Sequence, residues 1–240
     1  MEKQITYDKI RYYTYINDSV VKKPIKGVVI SFFGLGCQSM YNGGDTTEGE
    51  FYGKDGILYV VPYNNPWGWM NKQEVDYTDE IIDVIFDHFG LSENTPIVST
   101  GGSMGGQCAI TYMAYAKRTP VACVANCPVC DVVYHYTERV DLPRTLYSAL
   151  YGTNGTLEEG LKSLSPVHLI EKLPRVKYHI FHCDTDDAVN IEKHSNLFVE
   201  KMKKEGFDIT YDIVKNRGHC DLDYDSKLKY AQYIKDEIIK

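Results

Sequence analysis

Short, continuous apolar runs recur along the chain, and each predicts a strand that is buried on both faces of a sheet. These runs are residues 27–33, 57–61, 97–100, 121–125 and 178–182. Alternating apolar positions at 207–213 predict one more strand, and the tyrosine-rich stretch 5–16 predicts one or two half-exposed edge strands.

Apolar residues at helical spacing separate these runs. One predicted helix spans residues 75–89, and Gly90 suits its carboxyl-terminal cap. Further helices are predicted over residues 107–117, 191–202 and 228–238. Alternation of strands and helices predicts an α/β fold, with a mostly parallel central sheet flanked by helices. In such a sheet, the chemistry lies beyond the carboxyl ends of the strands.

One region interrupts the alternation. Residues 131–175 contain several short helical patterns, at 142–151 and 157–164 among them, with Pro143 and Pro166 as breaks. We interpret residues 1–240 as one domain with a small cap-like helical insertion at 131–175 over the active edge. An ordinary surface excursion is the alternative interpretation of the same residues.

Charge and hydropathy exclude several classes of function. The formal net charge is −7, and no basic cluster is present, so neither nucleic acid nor a membrane is an expected partner. No apolar run is long enough to cross a bilayer. The first residues lack the apolar core of a signal peptide, and we therefore expect a cytoplasmic protein.

Cysteine spacing offers a metal-binding interpretation that we reject. Cys123, Cys127 and Cys130 have the C-x3-C-x2-C spacing that holds an iron–sulfur cluster in other proteins. Cluster ligation needs three thiolates that converge from a loop, whereas Cys123 lies in a predicted strand. Histidines and cysteines are not grouped at zinc-ligand spacing either. We interpret the cysteines as buried thiols and expect no metal and no cofactor.

The sequence Gly101-Gly102-Ser103-Met104-Gly105 carries the main chemical signal. It follows a predicted buried strand and precedes a predicted helix, which is the context of a nucleophile elbow. A serine at such a turn exposes its hydroxyl above the sheet. A tight turn that packs a helix on a strand is the alternative, and it becomes less favoured when a suitable acid and base follow.

Two downstream segments supply an acid and a base. Serine needs a base within hydrogen-bond reach, usually a histidine oriented by a carboxylate. Residues 182–189 begin where a strand ends and contain Asp184, Asp186 and Asp187. His219 follows the last predicted strand, so it belongs to the same edge of the sheet. The order serine, aspartate, histidine is the one that the α/β architecture uses.

The chain resembles the α/β-hydrolase family over nearly its whole length. His182, Asp186 and Val189 match the His-Gly-x-x-Asp-x-x-Val pattern of that family, although Cys183 replaces its glycine. Gly218-His219 matches the family's Gly-His at the base. The resemblance implies an α/β-hydrolase fold and a catalytic triad of Ser103, Asp186 and His219.

The same resemblance implies an oxyanion hole. The backbone amide of Met104 is one expected donor, because it directly follows the nucleophile. The other is expected from the loop after the first buried strand, where the family has His-Gly-x and this chain has Phe33-Gly34-Leu35. We assign the second donor to Leu35, with Gly34 as the substitute.

Aromatic residues predict where substrate binds. Trp67 and Trp69 lie in the loop after the second buried strand, and Tyr134 lies at the start of the insertion. Aromatic walls beside amide groups suit a sugar or an aryl acyl group. The alternative, equally favoured for the tryptophans, is that they anchor the loop against the core.

Two subfamilies are similar to different segments. The elbow resembles that of carbohydrate and acyl esterases, and the last third resembles the prolyl-oligopeptidase catalytic domain. Those peptidases usually have tyrosine after the elbow serine and in the first oxyanion loop, where this chain has Met104 and Phe32-Phe33. We therefore expect a serine esterase acting on a small acylated or sugar-linked substrate. A peptidase and a non-catalytic binding protein on the same scaffold are the alternatives.

Overall fold

The computed structural model describes residues 5–37 and 44–239, which form a seven-stranded sheet in the order β1-β3-β2-β4-β5-β6-β7. The strands are β1 (Thr14–Ile16), β2 (Gly27–Phe32), β3 (Ile57–Pro62), β4 (Ile97–Gly102), β5 (Ala122–Asn126), β6 (Lys177–Cys183) and β7 (Ile209–Val214). Only β1 is antiparallel to its neighbour. The predicted mostly parallel α/β sheet is confirmed.

Helices flank this sheet. They are α1 (Thr47–Gly53), α2 (Lys72–Phe89), α3 (Met104–Tyr115), α4 (Val132–Glu138), α5 (Leu142–Leu150), α6 (Leu157–Ser163), α7 (Leu197–Lys204) and α8 (Tyr224–Ile238). Helix α2 begins where the Asn71 side chain accepts the Glu74 N–H and ends at Gly90, which has φ +61°. The predicted cap at Gly90 is therefore confirmed, while α1 is a helix that the apolar pattern did not predict.

The amino-terminal stretch differs from its prediction. Residues Tyr7–Tyr12 form a 3₁₀ helix, and only β1 is a strand. The Tyr7 ring stacks on His88 of α2, with ring centroids 3.4 Å apart, and Ile10 is buried. Residues 7–12 thus pack on a helix and do not form a strand. Strand β1 is wholly buried, where a half-exposed edge strand was expected.

Strands β2 and β4 to β7 run in parallel, so their carboxyl ends meet at one edge of the sheet. The hydroxyl group of a tyrosine on α8 contacts two of these strands. Tyr230 Oη donates to the Val124 carbonyl of β5 at 2.9 Å and contacts Thr100 Oγ1 of β4. The last helix therefore fixes the two strands just before they reach the functional edge.

The segment between β5 and β6 contains α4, α5 and α6, followed by two 3₁₀ turns. The helical patterns predicted at 142–151 and 157–164 are confirmed by α5 and α6. Helix α5 is tied to the loop after β3, because Asn71 Nδ2 donates to the Ala149 carbonyl at 2.9 Å. That this segment acts as a cap stays a prediction. Within the described residues, no helix combines the length and the apolar character that crossing a bilayer requires.

Candidate active site

Ser103 lies at a sharp turn between β4 and α3. Its backbone has φ 59° and ψ −126°, outside the regions that L-residues usually adopt. The Ser103 N–H donates to the Asn126 carbonyl at 2.9 Å, and its own carbonyl accepts the Gln107 N–H at 3.1 Å. Such a conformation costs on the order of 1–3 kcal/mol and persists only where the surroundings enforce it.

The glycines beside Ser103 are required by close backbone contacts. A Cβ on Gly101 would lie 2.4 Å from the Gly105 carbonyl oxygen, and a Cβ on Gly105 would lie 2.1 Å from the Phe32 oxygen. Both distances are far below van der Waals contact, and backbone atoms cannot give way cheaply. The strand–turn–helix context predicted for this serine is therefore confirmed, with a physical reason for both glycines.

Asp186 and His219 are brought together from the ends of β6 and β7. His219 Nδ1 and Asp186 Oδ2 are 2.7 Å apart, and the carboxylate is fully buried. The other oxygen, Oδ1, accepts the N–H groups of Ala188 and Val189, each at 2.9 Å. Four hydrogen-bonding groups thus surround one carboxylate when His182 Nε2, at 3.3 Å from Oδ2, is included. Its orientation is fixed before any substrate binds.

The neighbouring acids have other partners. Asp184 Oδ1 accepts the Asn216 N–H at 2.6 Å, and its Oδ2 lies 3.4 Å from Lys215 Nζ. Asp187 is exposed to solvent. Of the three acids in this loop, Asp186 is therefore the one that contacts the histidine.

Opposing effects set the charges of the pair. Burial alone would raise the pKa of Asp186, but hydrogen bonds from His182, His219 and the Val189 N–H hold it well below its ordinary range. Burial alone would lower the pKa of His219, but the bond to Asp186 and the contact with Cys127 raise it to about 9. An ionised carboxylate that stabilises an imidazolium is the arrangement that a transient proton acceptor needs.

The other ring nitrogen of His219, Nε2, faces two thiols. Cys220 Sγ lies 3.8 Å from it, and the ligand atoms of Cys127, His219 and Cys220 all lie within 4.8 Å of one another. A Cβ on Gly102 would be 3.3 Å from Cys220 Sγ, so this thiol borders the elbow. Among the hydrogen bonds of the described residues, none joins Ser103 Oγ to the imidazole. Catalytic hydrogen bonds of ligand-free sites often form only when substrate is bound.

The sequence analysis missed this pair of thiols. Cys127 was correctly interpreted as buried, but its sulfur reaches the base, and Cys220 received no role. The available signal was that Cys220 follows His219 directly. Cys130 lies elsewhere, with its sulfur donating to the Pro128 carbonyl, and the described residues do not gather the three cysteines of the C-x3-C-x2-C spacing into one group.

The loop after β2 and the first turn of α3 border Ser103. A Cβ on Gly34 would lie 3.8 Å from Ser103 Cβ, so the segment that holds Leu35 lies against the nucleophile. Met104 is the first residue of α3, and the first N–H groups of a helix have no partner within it. The backbone amides assigned to the oxyanion hole therefore come from segments that flank the serine.

The predicted substrate residues have different surroundings. Trp67 is 37% exposed and, with Leu35, lines a cavity of about 500 Å³. Trp69 is 1% exposed, and its Nε1 donates to Thr145 Oγ1 at 3.1 Å. Tyr134 is half-buried, and its ring contacts that of His194. The surroundings of Trp69 favour the anchoring alternative over contact with substrate.

A second histidine–carboxylate group joins α4 to the segment before α7. Glu138 Oε2 contacts His135 Nδ1 at 2.6 Å and His194 Nε2 at 3.0 Å. His194 Nδ1 in turn accepts the N–H groups of Cys130 and Asp131, each at 3.1 Å. We call His135, Glu138 and His194 the Glu138 cluster, and His182, Asp186 and His219 the Asp186 cluster. No local sequence pattern predicts the Glu138 cluster, because His194 joins His135 and Glu138 of α4 from a distant segment of the chain.

The fold and the elbow define an α/β-hydrolase of the serine hydrolase class. The model of the prolyl oligopeptidase family matches residues 65–236, which is more than half of the chain. The chain therefore belongs to the prolyl oligopeptidase family. The match includes Ser103, Asp186 and His219 but not β2 and the loop after it. No curated protein sequence matches the chain.

Solved structures of two kinds share the fold. The acylaminoacyl peptidase of Pyrococcus horikoshii is 14% identical with a TM-score of 0.72, over 90% of this chain and 37% of that one. The S-formylglutathione hydrolase of Agrobacterium tumefaciens is 17% identical with a TM-score of 0.69, over 94% and 87%. An esterase of Thermogutta terrifontis is 21% identical with a TM-score of 0.64, over 93% and 85%. The chain thus spans little more than a third of that peptidase.

Proposed function

We propose that this protein hydrolyses carboxylic esters through an acyl intermediate on Ser103. The observation that carries the proposal is a serine on a strained elbow at the same edge of the sheet as a histidine–aspartate pair. A pair held at 2.7 Å with a buried, ionised carboxylate is costly to maintain without a function for the histidine. A binding protein on this scaffold would have no use for such a base.

The roles follow from the positions of the groups. His219 Nε2 accepts the Ser103 proton as Oγ attacks the ester carbonyl, and Asp186 stabilises the resulting imidazolium. The amides of Met104 and Leu35, with Gly34 as the substitute for Leu35, stabilise the oxyanion. His219 then protonates the departing alcohol, and water releases the acyl group by the same steps in reverse order.

Ester rather than peptide hydrolysis is supported by two observations. The S-formylglutathione hydrolase and the esterase align over most of their own length, whereas the acylaminoacyl peptidase aligns over 37% of its length. Phe33 also has no hydroxyl group in the loop after β2, where the resembling peptidases carry tyrosine. Membership of the prolyl oligopeptidase family favours the second candidate, a peptidase.

The cavity beside the oxyanion loop supports a small, partly polar acyl or alcohol group as substrate. Trp67 forms one wall, and the Arg144 guanidinium lies 5.2 Å from the centroid of its ring. Arg139, which also lines the cavity, is already paired with Asp141 at 2.6 Å. An aromatic face with a cation beside it suits a sugar or an aryl group that carries hydrogen-bond acceptors.

A substrate panel tests the proposal. Purified protein is assayed with short-chain aryl esters, acetylated sugars and aminoacyl-proline amides, and Ser103→Ala serves as the blank for each. We expect turnover of the esters that is lost in the variant. Turnover of the amides alone would favour the peptidase. A wild-type protein that is folded yet neither turns over any substrate nor reacts with a fluorophosphonate would favour the binding protein.

A pair of aromatic variants tests the binding wall. Trp67→Ala should raise KM for aryl and sugar esters by roughly tenfold, because the loss of one aromatic contact costs about 1 kcal/mol or more. Tyr147→Ala, which removes an exposed aromatic of α5 outside this cavity, is the matched control and should leave KM unchanged. Equal effects of the two variants would remove Trp67 from the substrate site.

A further inference from the structure

In two of the three candidate metal-binding groups of the described residues, one histidine already uses both ring nitrogens for hydrogen bonds. In the Glu138 cluster, His194 Nδ1 accepts two backbone N–H groups, so Nε2 carries the proton that it shares with Glu138. In the group of Cys127, His182 and Asp186, His182 uses Nδ1 for Ser195 and Nε2 for the Val189 carbonyl. A metal bound by His194 or His182 would have to displace one of these hydrogen bonds.

In the third group, His219 bonds a carboxylate through Nδ1, and the described contact of its Nε2 is with a thiol. His219 donates from Nδ1 to Asp186, which leaves the lone pair of Nε2 directed away from the carboxylate and toward the sulfurs of Cys127 and Cys220. A carboxylate on the far side of a ligating imidazole is the usual support of a zinc-bound histidine. The same Asp186–His219 arrangement therefore suits both proton transfer and metal ligation.

Distances in this group suit a tetrahedral ion. Zinc binds sulfur at about 2.3 Å and imidazole nitrogen at about 2.0–2.1 Å, so tetrahedral ligand atoms are separated by about 3.5–3.8 Å. Nε2 and Cys220 Sγ are 3.8 Å apart, and all three ligand atoms lie within 4.8 Å of one another. A small inward movement of one thiol completes the geometry.

The backbone around the two thiols is specialised. Cys127 has φ 44° and Cys220 has φ 58°, conformations that residues other than glycine seldom adopt. The Cys127 sulfur also accepts the Cys183 N–H at 3.4 Å, a bond that holds the sulfur in place. Three ligands from two loops, with the base 25% exposed, leave a fourth position for water.

We infer that Cys127, His219 and Cys220 form a reversible binding site for a thiophilic divalent cation such as Zn²⁺. On binding, the two thiol protons leave to solvent, two metal–sulfur bonds and one metal–nitrogen bond form, and nothing is oxidised or reduced. The ion occupies the lone pair with which His219 accepts the serine proton. It therefore switches hydrolysis off, and this consequence alone rests on the proposed function.

Cobalt tests the binding without any reference to activity. Reduced, metal-stripped protein is titrated with Co²⁺ alone, and thiolate-to-cobalt charge-transfer absorption should reach saturation at one equivalent and disappear when Zn²⁺ is added. Cys220→Ser and Cys127→Ser should weaken binding more than about 100-fold, since the loss even of an outer-shell partner costs 10–100-fold. Cys37→Ser, which removes an exposed thiol outside the group, is the matched control and should bind normally.

Inhibition supplies the second measurement. Zn²⁺ should abolish ester turnover by the wild type and by Cys37→Ser, a chelator should restore it, and folded Cys220→Ser should resist. Absence of the cobalt–thiolate band in the wild type, or its persistence in both serine variants, overturns the proposed site. A normal band in a protein without esterase activity retains the site and refutes the proposed function instead. Circular dichroism of each variant checks that it is folded.

Discussion

The Asp186 cluster and the Glu138 cluster both place one carboxylate between two histidines. They differ in which imidazole nitrogens already have hydrogen-bond partners. In the Asp186 cluster, the His219 side chain is 25% exposed and keeps one nitrogen uncommitted to the protein backbone. In the Glu138 cluster, both rings are buried, and backbone N–H groups occupy the far nitrogen of His194.

This difference distinguishes a cluster that can react from one that only connects parts of the fold. A histidine can accept a proton or a metal only through a nitrogen that nothing else occupies. The Glu138 cluster instead connects α4 to the segment before α7, with every described polar contact made inside the protein. The residue types of the two clusters are the same and do not show which cluster is catalytic. The hydrogen-bond partners of the ring nitrogens are the better guide to function.

The largest contrast is expected at the serine. Ser103→Ala should lower kcat for esters by roughly five to six orders of magnitude, because the nucleophile is lost while binding groups remain. Ser195→Ala, which removes the hydroxyl that bonds His182 in the same cluster, is the control and should still react with a fluorophosphonate. Equal labelling of wild type and Ser103→Ala would place the nucleophile elsewhere.

The next contrast is between acids of one loop. Asp186→Asn should reduce kcat by about 10⁴-fold, since an amide leaves the imidazole in the wrong tautomer. Asp184→Asn should change kcat less than about tenfold, because Asp184 contacts Asn216 and Lys215 and not His219. Steady-state kinetics on one ester compares the two, and the reverse ranking would transfer the role to Asp184.

The pH profile should show which cluster titrates during turnover. His219 must be uncharged to accept a proton, and its pKa is raised to about 9. We therefore expect kcat/KM to rise about tenfold per pH unit from pH 6 and to level off above about pH 9. Ser103→Ala, measured at each pH, corrects for hydroxide-driven hydrolysis. A plateau already at pH 7 would contradict the assignment.

The Glu138 cluster should respond in stability rather than in rate. Glu138→Gln leaves two buried histidines with a weaker acceptor and should reduce the free energy of unfolding by on the order of 3 kcal/mol. The kcat of the folded fraction should change less than about tenfold. Chemical denaturation and ester turnover give the two numbers. A large loss of kcat without a loss of stability would make this cluster catalytic.

A carboxyl group without a histidine partner sharpens the comparison. Glu74 is 5% exposed and accepts the Met70 N–H at 2.9 Å, and burial raises its pKa from 4.5 to about 7. The unfolded chain releases this proton at lower pH than the folded one, so Glu74 lowers stability as pH rises from about 4.5 through 7.

The resulting loss is on the order of 2–3 kcal/mol and should be missing in Glu74→Gln, whose side chain does not titrate. Denaturation at pH 5 and pH 8 measures it in both proteins. The advantage of Glu74→Gln over the wild type should therefore grow between the two pH values. An advantage that shrank would show that Glu74 ionises readily in the folded protein.

The apolar pattern predicted most of the fold because buried parallel strands have a strong periodic signal. Strands β2 to β7 and helices α2, α3, α7 and α8 lie where continuous runs and helical spacing predicted them. The pattern failed at the amino terminus, where aromatic stacking on α2 decides the conformation. Stacking partners that are about 80 residues apart, such as Tyr7 and His88, leave no trace in local spacing.

The candidate site divides in the same way. Local motifs select Ser103, Asp186 and His219 as the candidate triad, because each stands after a strand within a short recognisable pattern. The thiols of Cys127 and Cys220 were not identified, since their convergence depends on how two loops fold over the sheet edge. The surroundings of Trp69 could not be predicted from local sequence either, because its partner Thr145 lies far along the chain, on α5.

The hydrogen bonds of Tyr230 give the last helix an influence far from its own position. Its phenol bonds Val124 of β5 and contacts Thr100 of β4, the strand that leads into the turn at Ser103. A displacement of α8 would therefore disturb the position of Ser103 without any contact between that helix and the serine.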